Sequence, residues 1–167
     1  ALAAQGALQL ATPGTLSNAG NLQAGQAMTL DVGTLHHSGQ AYAGDRLTLR
    51  ASGAVDTQGE LIARHDLQVD AASIASSGQL GSETGQVALT SQGDVRLGGI
   101  VAAATQLQVQ AQGDLLQSGT LSAQALDLHG RDVTLAGQVT TAQALQVQAQ
   151  RDLRVDEQGF ETAMDEQ

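Results

Sequence analysis

Residues 107–123 read LQVQAQGDLLQSGTLSA and decide the fold of the chain. Apolar and polar residues alternate in 107–111 and again in 121–123, with a shorter apolar segment around Leu115 between them. A Gly-Asp pair and a Ser-Gly pair separate the three segments. Strict alternation points successive side chains to opposite faces of a β-strand and fits no helix of period 3.6. The stretch therefore predicts three short strands joined by two corners.

The same unit repeats along almost the whole chain. Each copy opens with an apolar-x-apolar triplet, and the spacings between successive openings are 20, 19, 20, 20, 20, 19 and 19 residues. The eight openings are Leu8, Met28, Leu47, Leu67, Val87, Leu107, Leu126 and Leu145. A fixed period of this length is typical of a protein in which each unit stacks on the next.

Two further sets of apolar residues recur with the same period as the first. The second-strand set is Leu16, Leu35, Val55, Ile74, Val95, Leu115, Val133 and Leu153. The third-strand set is Leu22, Ala41, Leu61, Leu80, Val101, Leu121 and Val139. A glycine lies two residues before each member of the third set, at Gly20, Gly39, Gly59, Gly78, Gly99, Gly119 and Gly137. These glycines indicate corners that need either positive φ or a close approach of the backbone.

These sets together predict an all-β, right-handed parallel β-helix with three short strands in each coil of about 19–20 residues. The right hand is expected because right-handed crossovers dominate parallel pairing. Strands of neighbouring coils should pair at ~4.8 Å, so eight coils would form a rod roughly 40 Å long. Stacked aliphatic side chains fill such a narrow interior, and this agrees with an aromatic content of only 1%.

Composition excludes several classes of partner and site. The formal charge is −10, and the seven basic residues are all Arg, so the sequence predicts no binding of nucleic acid, which needs a positive surface. Cysteine is absent, which excludes disulfides and thiolate metal sites. No apolar run is long enough to cross a bilayer, so no membrane insertion is expected.

The repeat divides the chain into two parts. Residues 1–155 are expected to form a single β-helix domain, and residues 156–167 an acidic tail that frays or begins the next region. Because the chain starts in the middle of the pattern, we expect this domain to be a fragment of a longer shaft.

Four aspartates recur at one corner and are the candidate metal site. They are Asp94, Asp114, Asp132 and Asp152. Stacking should bring them to a spacing of ~4.8 Å, and Ca²⁺ binds several carboxylate oxygens. The alternative is that each aspartate bonds the backbone N–H two residues on and only caps its corner. We favour the alternative because the calcium signature G-G-x-G-x-D is absent, and Arg131 and Arg151 lie close enough to neutralise two carboxylates.

No residue stands out as catalytic or cofactor-binding. His36 and His37 are adjacent, so one should face outward and His37 inward, and a shared metal site is not expected. Motifs such as G-x-S-x-G, H-E-x-x-H and the P-loop are missing. Some β-helices degrade polysaccharides, but the regular unit length leaves no room for the loops that build their clefts. The sequence therefore predicts neither an enzyme nor a cofactor.

The unit resembles the filamentous haemagglutinin repeat of two-partner-secretion exoproteins, which include haemagglutinin adhesins and contact-dependent growth inhibition proteins. The match lies in Leu-x-Leu-x-Ala, Gly-Asp-Leu and Ser-Gly-x-Leu-x-Ala, seen best at 107–123 and extending over about Leu8 to Val155. The resemblance implies a shaft segment at the bacterial cell surface or secreted, exported through an outer-membrane partner, that projects binding or toxin regions. The alternatives are that an outer face of the rod binds a host receptor or glycan, or that the rod is a polysaccharide-degrading enzyme.

The two ends of the rod should expose unpaired strand edges. Such edges are ready to pair with another chain. The sequence therefore predicts end-to-end self-association at high concentration.

Overall fold

The structure is a computed structural model that describes residues 2–155. These residues form twenty strands and no helix. The strands are β1 (Leu2–Ala4), β2 (Leu8–Asn18), β3 (Asn21–Ala24), β4 (Met28–His37), β5 (Gln40–Ala43), β6 (Leu47–Ala51), β7 (Ala54–Thr57), β8 (Glu60–Ala63), β9 (Leu67–Ala71), β10 (Ser73–Ser76), β11 (Gln79–Ser82), β12 (Val87–Ser91), β13 (Val95–Leu97), β14 (Ile100–Ala102), β15 (Gln106–Ala111), β16 (Leu115–Gln117), β17 (Thr120–Gly130), β18 (Val133–Leu135), β19 (Gln138–Ala149) and β20 (Leu153–Val155).

The strands wind into a right-handed parallel β-helix of about eight coils, which confirms the predicted fold. We number the coils 1 to 8 from the eight apolar openings, beginning at Leu8. Every strand pairs in parallel with the equivalent strand one coil above or below. Strands β15, β16 and the start of β17 are the three segments expected in 107–123.

All three apolar sets lie in register from coil to coil. In the first set, Leu47 pairs with Leu67, Leu67 with Val87, and Val87 with Leu107. The second set aligns in the same way, for example Val95 on Leu115. So does the third, for example Leu80 on Val101. The interior of the rod is therefore three parallel stacks of aliphatic side chains.

These stacks are the hydrophobic core. Leu47, Leu67, Val87 and Leu107 are all 0% exposed. Complete burial of one such side chain stabilises the fold by about 1.5–3 kcal/mol. A single coil has only a few of these residues and buries them only against its neighbours, so the stability of the rod comes from stacking.

The glycine corners pack the backbones of successive coils against each other. A Cβ at Gly78 would lie 2.0 Å from the carbonyl oxygen of Gly59, and one at Gly99 would lie 1.9 Å from that of Gly78. No glycine in residues 2–155 has positive φ. The sequence allowed two reasons for glycine at these corners, positive φ and close approach of the backbone. Close approach is the one that the structure shows.

Differences in coil length are absorbed at corners by local shifts of register. Between Thr12 and Thr15 of β2 there are two residues, whereas only Gly33 lies opposite them in β4. A second shift lies between Ala123 and Ala125 of β17. The first shift contains Pro13, which has no N–H to lose from the ladder. At these corners successive strands run together: β2 and β4 each join two strands of one coil, and β17 and β19 each join the last strand of one coil to the first of the next.

The predicted acidic tail concerns the end of the chain. The acidic segment 156–167 lies outside the described residues, and the proposed boundary at residue 155 stays a prediction.

The part of the chain that the structure covers includes no helix of the length and hydropathy needed to span a membrane.

Candidate functional site

The aspartate column, formed by Asp94, Asp114, Asp132 and Asp152, lies at the corner before the second strand in coils 5 to 8. Asp94 Oδ1 accepts a hydrogen bond from the backbone N–H of Asp114 at 2.9 Å, and Asp132 Oδ1 accepts one from that of Asp152 at 3.2 Å. These bonds run up the stack to the next coil, not to the N–H two residues along the same corner. The carboxylates of Asp94 and Asp132 therefore connect neighbouring coils. The sequence had indicated only a bond within the same corner.

Arginines from the coil above bind two of these carboxylates. Arg131 Nε donates to Asp114 Oδ1 at 3.3 Å, and an Arg131 terminal nitrogen lies 3.2 Å from the same oxygen. Arg151 lies 3.4 Å from Asp132. Opposite charges at this distance offset the repulsion within the column, although these pairs are partly solvated and stabilise the rod little.

The aspartate column is the candidate calcium site named from the sequence. Within residues 2–155, no group of three or more histidine, aspartate or glutamate side chains has the geometry to hold a metal ion. A calcium ion normally takes six to eight oxygen ligands. Calcium binding at Asp94, Asp114, Asp132 and Asp152 stays the less favoured of the two hypotheses.

The adjacent histidines face opposite sides of β4, as their positions indicated. His36 is on the surface, with Nδ1 3.8 Å from Asp56 Oδ2. His37 is buried, with Nε2 2.8 Å from the Glu60 carbonyl oxygen and Nδ1 3.0 Å from Asn18 Nδ2. Burial lowers the pKa of His37, and the bond to the Glu60 carbonyl opposes that effect. A surface cavity of about 180 Å³ lies beside these residues.

Two further histidines pair with aspartates that sequence reasoning did not connect. His65 Nδ1 lies 2.8 Å from Asp45 Oδ1, and His129 Nε2 lies 2.7 Å from Asp127 Oδ1. The repeat contained the signal for both pairs. Asp45 and His65 are one coil apart, and Asp127 and His129 are two residues apart on the same face of β17.

A single tyrosine ties three coils together on the outside. Tyr42 in coil 2 donates its hydroxyl proton to Glu83 Oε1 in coil 4 at 2.6 Å. Ile62 of coil 3 lies between Tyr42 and Gly81 in one column, and a Cβ at Gly81 would lie 3.2 Å from the Ile62 side chain. The bond to Glu83 raises the pKa of Tyr42, as do burial and the negative charge of Glu83. No spacing in the sequence indicated this contact.

A shallow groove runs along the glycine corner of coils 2 to 5. Its volume is about 520 Å³. Its floor is formed by Gly39, Gly59, Gly78 and Gly99, and serine and glutamine side chains with Glu60 form most of its walls. The groove exists because the corner has no side chains, so the same glycines that allow close stacking also shape this surface.

A scan against protein-family models matches the chain three times to one model, described as "Haemagglutinin repeat". The matches cover residues 1–39, 29–99 and 84–159. Comparisons with curated proteins and with solved structures found no match.

Proposed function

Because the chain belongs to the haemagglutinin repeat family, we propose that it is a structural segment of the shaft of a secreted or surface-exposed bacterial adhesin. The observation that carries this proposal is the unbroken register of all three apolar stacks from coil to coil. A rod of this kind holds other regions of a protein at a distance. Its function is its length and stiffness.

The proposal extends to export and location. Proteins with this repeat are typically exported through an outer-membrane partner, so we propose such a partner during secretion and a final location outside the cell. The strands of each coil pair with the coil before it, so each coil can serve as a template for the next as the chain emerges.

Removal of one whole coil is the direct test of a shaft. Deletion of residues 67–86 removes 20 residues and joins Asp66 to Val87, which begins an equivalent coil. We expect the variant to stay folded by circular dichroism and to shorten by ~5 Å in small-angle X-ray scattering.

Deletion of residues 67–76 is the matched control, because it removes half a coil and breaks the register. This control should lose much of its folded structure. A half-coil deletion as stable as the whole-coil deletion would contradict the role of stacked coils as the unit of the shaft.

The groove at the glycine corner favours a second candidate, in which an outer face of the rod binds a host receptor or glycan. Gln40 and Gln79 line this groove, and their amides can both donate and accept hydrogen bonds to sugar hydroxyls. A glycan array probed with the protein and with a Gln40→Ala, Gln79→Ala variant tests it. Binding that the variant loses supports recognition, and equal signals from both argue against this groove.

We propose that the rod has no catalytic activity. The family favours a non-enzymatic shaft, and the coils carry no long inserted loops in residues 2–155. Incubation with pectins and glycosaminoglycans, followed by assay of reducing ends, tests the alternative of a polysaccharide-degrading enzyme. Release of sugar above that from a heat-denatured sample would contradict the proposal.

End-to-end self-association stays a prediction. Leu2 is 44% exposed in the first described strand, and Leu153 is 49% exposed in the last. Light scattering over a range of concentrations should detect assemblies larger than a monomer. Monomers at every concentration would contradict the prediction.

A further inference from the structure

His37 is the only ionisable side chain among the buried residues of the described part of the chain, at 2% exposure. The other buried polar side chains in residues 2–155 do not titrate near neutral pH; they are Thr57, Ser76, Ser91, Gln117 and Thr141. A buried histidine is stable in its neutral form only if both ring nitrogens have suitable partners.

The hydrogen bonds around His37 fix a neutral ring. Asn18 Oδ1 accepts the backbone N–H of Gly20 at 3.1 Å, so the amide nitrogen of Asn18 faces His37. His37 Nδ1 must therefore accept a hydrogen bond, and Nε2 carries the proton that is donated to the Glu60 carbonyl. A proton on Nδ1 would face the Asn18 amide donor. Rotation of that amide would remove the bond to Gly20.

This network joins three coils at one point. Asn18 belongs to coil 1, His37 to coil 2 and Glu60 to coil 3. The side chain above His37 in the same stack is Thr57, whose buried hydroxyl has no hydrogen-bond partner. Loss of the His37 bonds would therefore leave these coils with few polar contacts inside the rod.

Gln117 makes the equivalent bond in coil 6 without a titratable group. Its Nε2 donates to the carbonyl oxygens of Gly119 at 2.6 Å and Gln138 at 3.2 Å, and its Oε1 accepts the N–H of Gly137 at 3.1 Å. Gln138 and Glu60 belong to the same column of the repeat. His37 and Gln117 therefore make similar interior connections at one column of the repeat, and within residues 2–155 only the one at His37 can respond to pH.

Among the described residues, no carboxylate lies where it could stabilise a charged His37. Asn18 below and Thr57 above are uncharged. Asp56 is on the outer face of β7, where it pairs with the exposed His36. Glu60 offers its backbone carbonyl, and its side chain points away from the interior because Leu61, the next residue, points inward.

We propose that His37 makes coils 1 to 3 an acid-sensitive section of the rod. Protonation of the buried ring turns Nδ1 from an acceptor into a donor, breaks the bond from Asn18 and leaves an uncompensated charge inside the rod, and these coils open locally. The coils around Gln117 stay closed at the same pH.

The direction of the pH effect follows from the lowered pKa of His37. Burial lowers that pKa below the ordinary value of a histidine, so the open state takes up a proton at a higher pH than the closed state. The stabilisation is fully present above the pKa of the open state and is lost as the pH falls through the lowered pKa of the closed state.

Hydrogen exchange measured by mass spectrometry at about pH 7.5 and about pH 5 tests the proposal. After correction for intrinsic exchange rates, we expect protection of residues 16–62 to fall at least about tenfold more than that of residues 107–140 at the lower pH. An equal loss in both regions, or no loss, would overturn the proposal in the unmodified protein.

Variants connect the effect to His37 itself. His37→Gln should remove most of the acid-induced loss in residues 16–62, because Gln117 shows that a glutamine makes this bond. His36→Gln is the matched control and should retain the loss. If acid sensitivity persists in His37→Gln, or disappears in His36→Gln, His37 is not its cause and the proposal is overturned. If His37→Gln fails to fold, Gln117→His should make residues 107–140 acid-sensitive, and unchanged protection there would count against the proposal.

Discussion

Replacement of Gly99 by Ala should lower the free energy of unfolding by about 3 kcal/mol, the upper part of the range for overpacking. The new Cβ would lie 1.9 Å from the Gly78 carbonyl oxygen and 2.7 Å from the Ser77 carbonyl carbon. Those atoms cannot move freely, because the Gly78 carbonyl accepts the N–H of Ile100 at 2.9 Å. The backbone must separate the two coils to make room. Urea denaturation followed by circular dichroism measures the loss.

Gly98 supplies the control for this variant, because it is the neighbouring residue at the same corner. A Cβ at Gly98 would have as its nearest atom the Ser118 hydroxyl oxygen at 3.6 Å, an ordinary contact. Gly98→Ala should therefore change the free energy of unfolding by no more than about 0.5 kcal/mol. Equal destabilisation by the two substitutions would mean that close stacking of the backbone is not the reason for glycine at this corner.

Replacement of Leu107 by Asn should destabilise the rod by about 4 kcal/mol. Leu107 is 0% exposed and lies between Val87 and Leu126 in the first apolar stack. The substitution removes aliphatic contacts with both neighbouring coils. It also places an amide where the stack provides no hydrogen-bond partner. A shift of the urea midpoint without a change in slope would measure the effect.

Asparagine at the neighbouring position, Gln108, is the control, because it tests whether the loss of stability depends on the inward direction of the side chain. Gln108 pairs with Asp127 in the outward column, where polar side chains are normal. Gln108→Asn should therefore cost no more than about 0.5 kcal/mol. If it proved as destabilising as Leu107→Asn, the assignment of inward and outward positions in β15 would be wrong.

The register of the rod could be predicted because every repeat unit has apolar residues at the same positions. A one-residue slip in any strand would turn residues such as Leu67 and Val69 outward, so the repeat of apolar positions determines which residues stack. The glycine corner could also be predicted, because a glycine recurs at one position of the repeat. Its physical explanation required the structure, since a sequence does not distinguish positive φ from the close approach seen at Gly78.

The candidate sites were less predictable, because their contacts depend on side-chain direction between coils. The sequence placed Asp94 and Asp114 at one corner but not the bond from the Asp114 N–H to the coil below. It placed His37 inside the rod but gave no sign of Asn18 and Glu60 as its partners. The bond between Tyr42 and Glu83 spans two coils and follows no repeat position.

Distances between spin labels along one outward column test the stacking of coils most directly. The chain has no cysteine, so Gln108→Cys can be combined in turn with Thr48→Cys, Thr29→Cys and Gln9→Cys, which lie three, four and five coils away in the same column. Double electron–electron resonance should give separations that rise in equal steps, near ~14, ~19 and ~24 Å between backbones. Separations that do not increase by a constant step from coil to coil would contradict a rod of stacked coils.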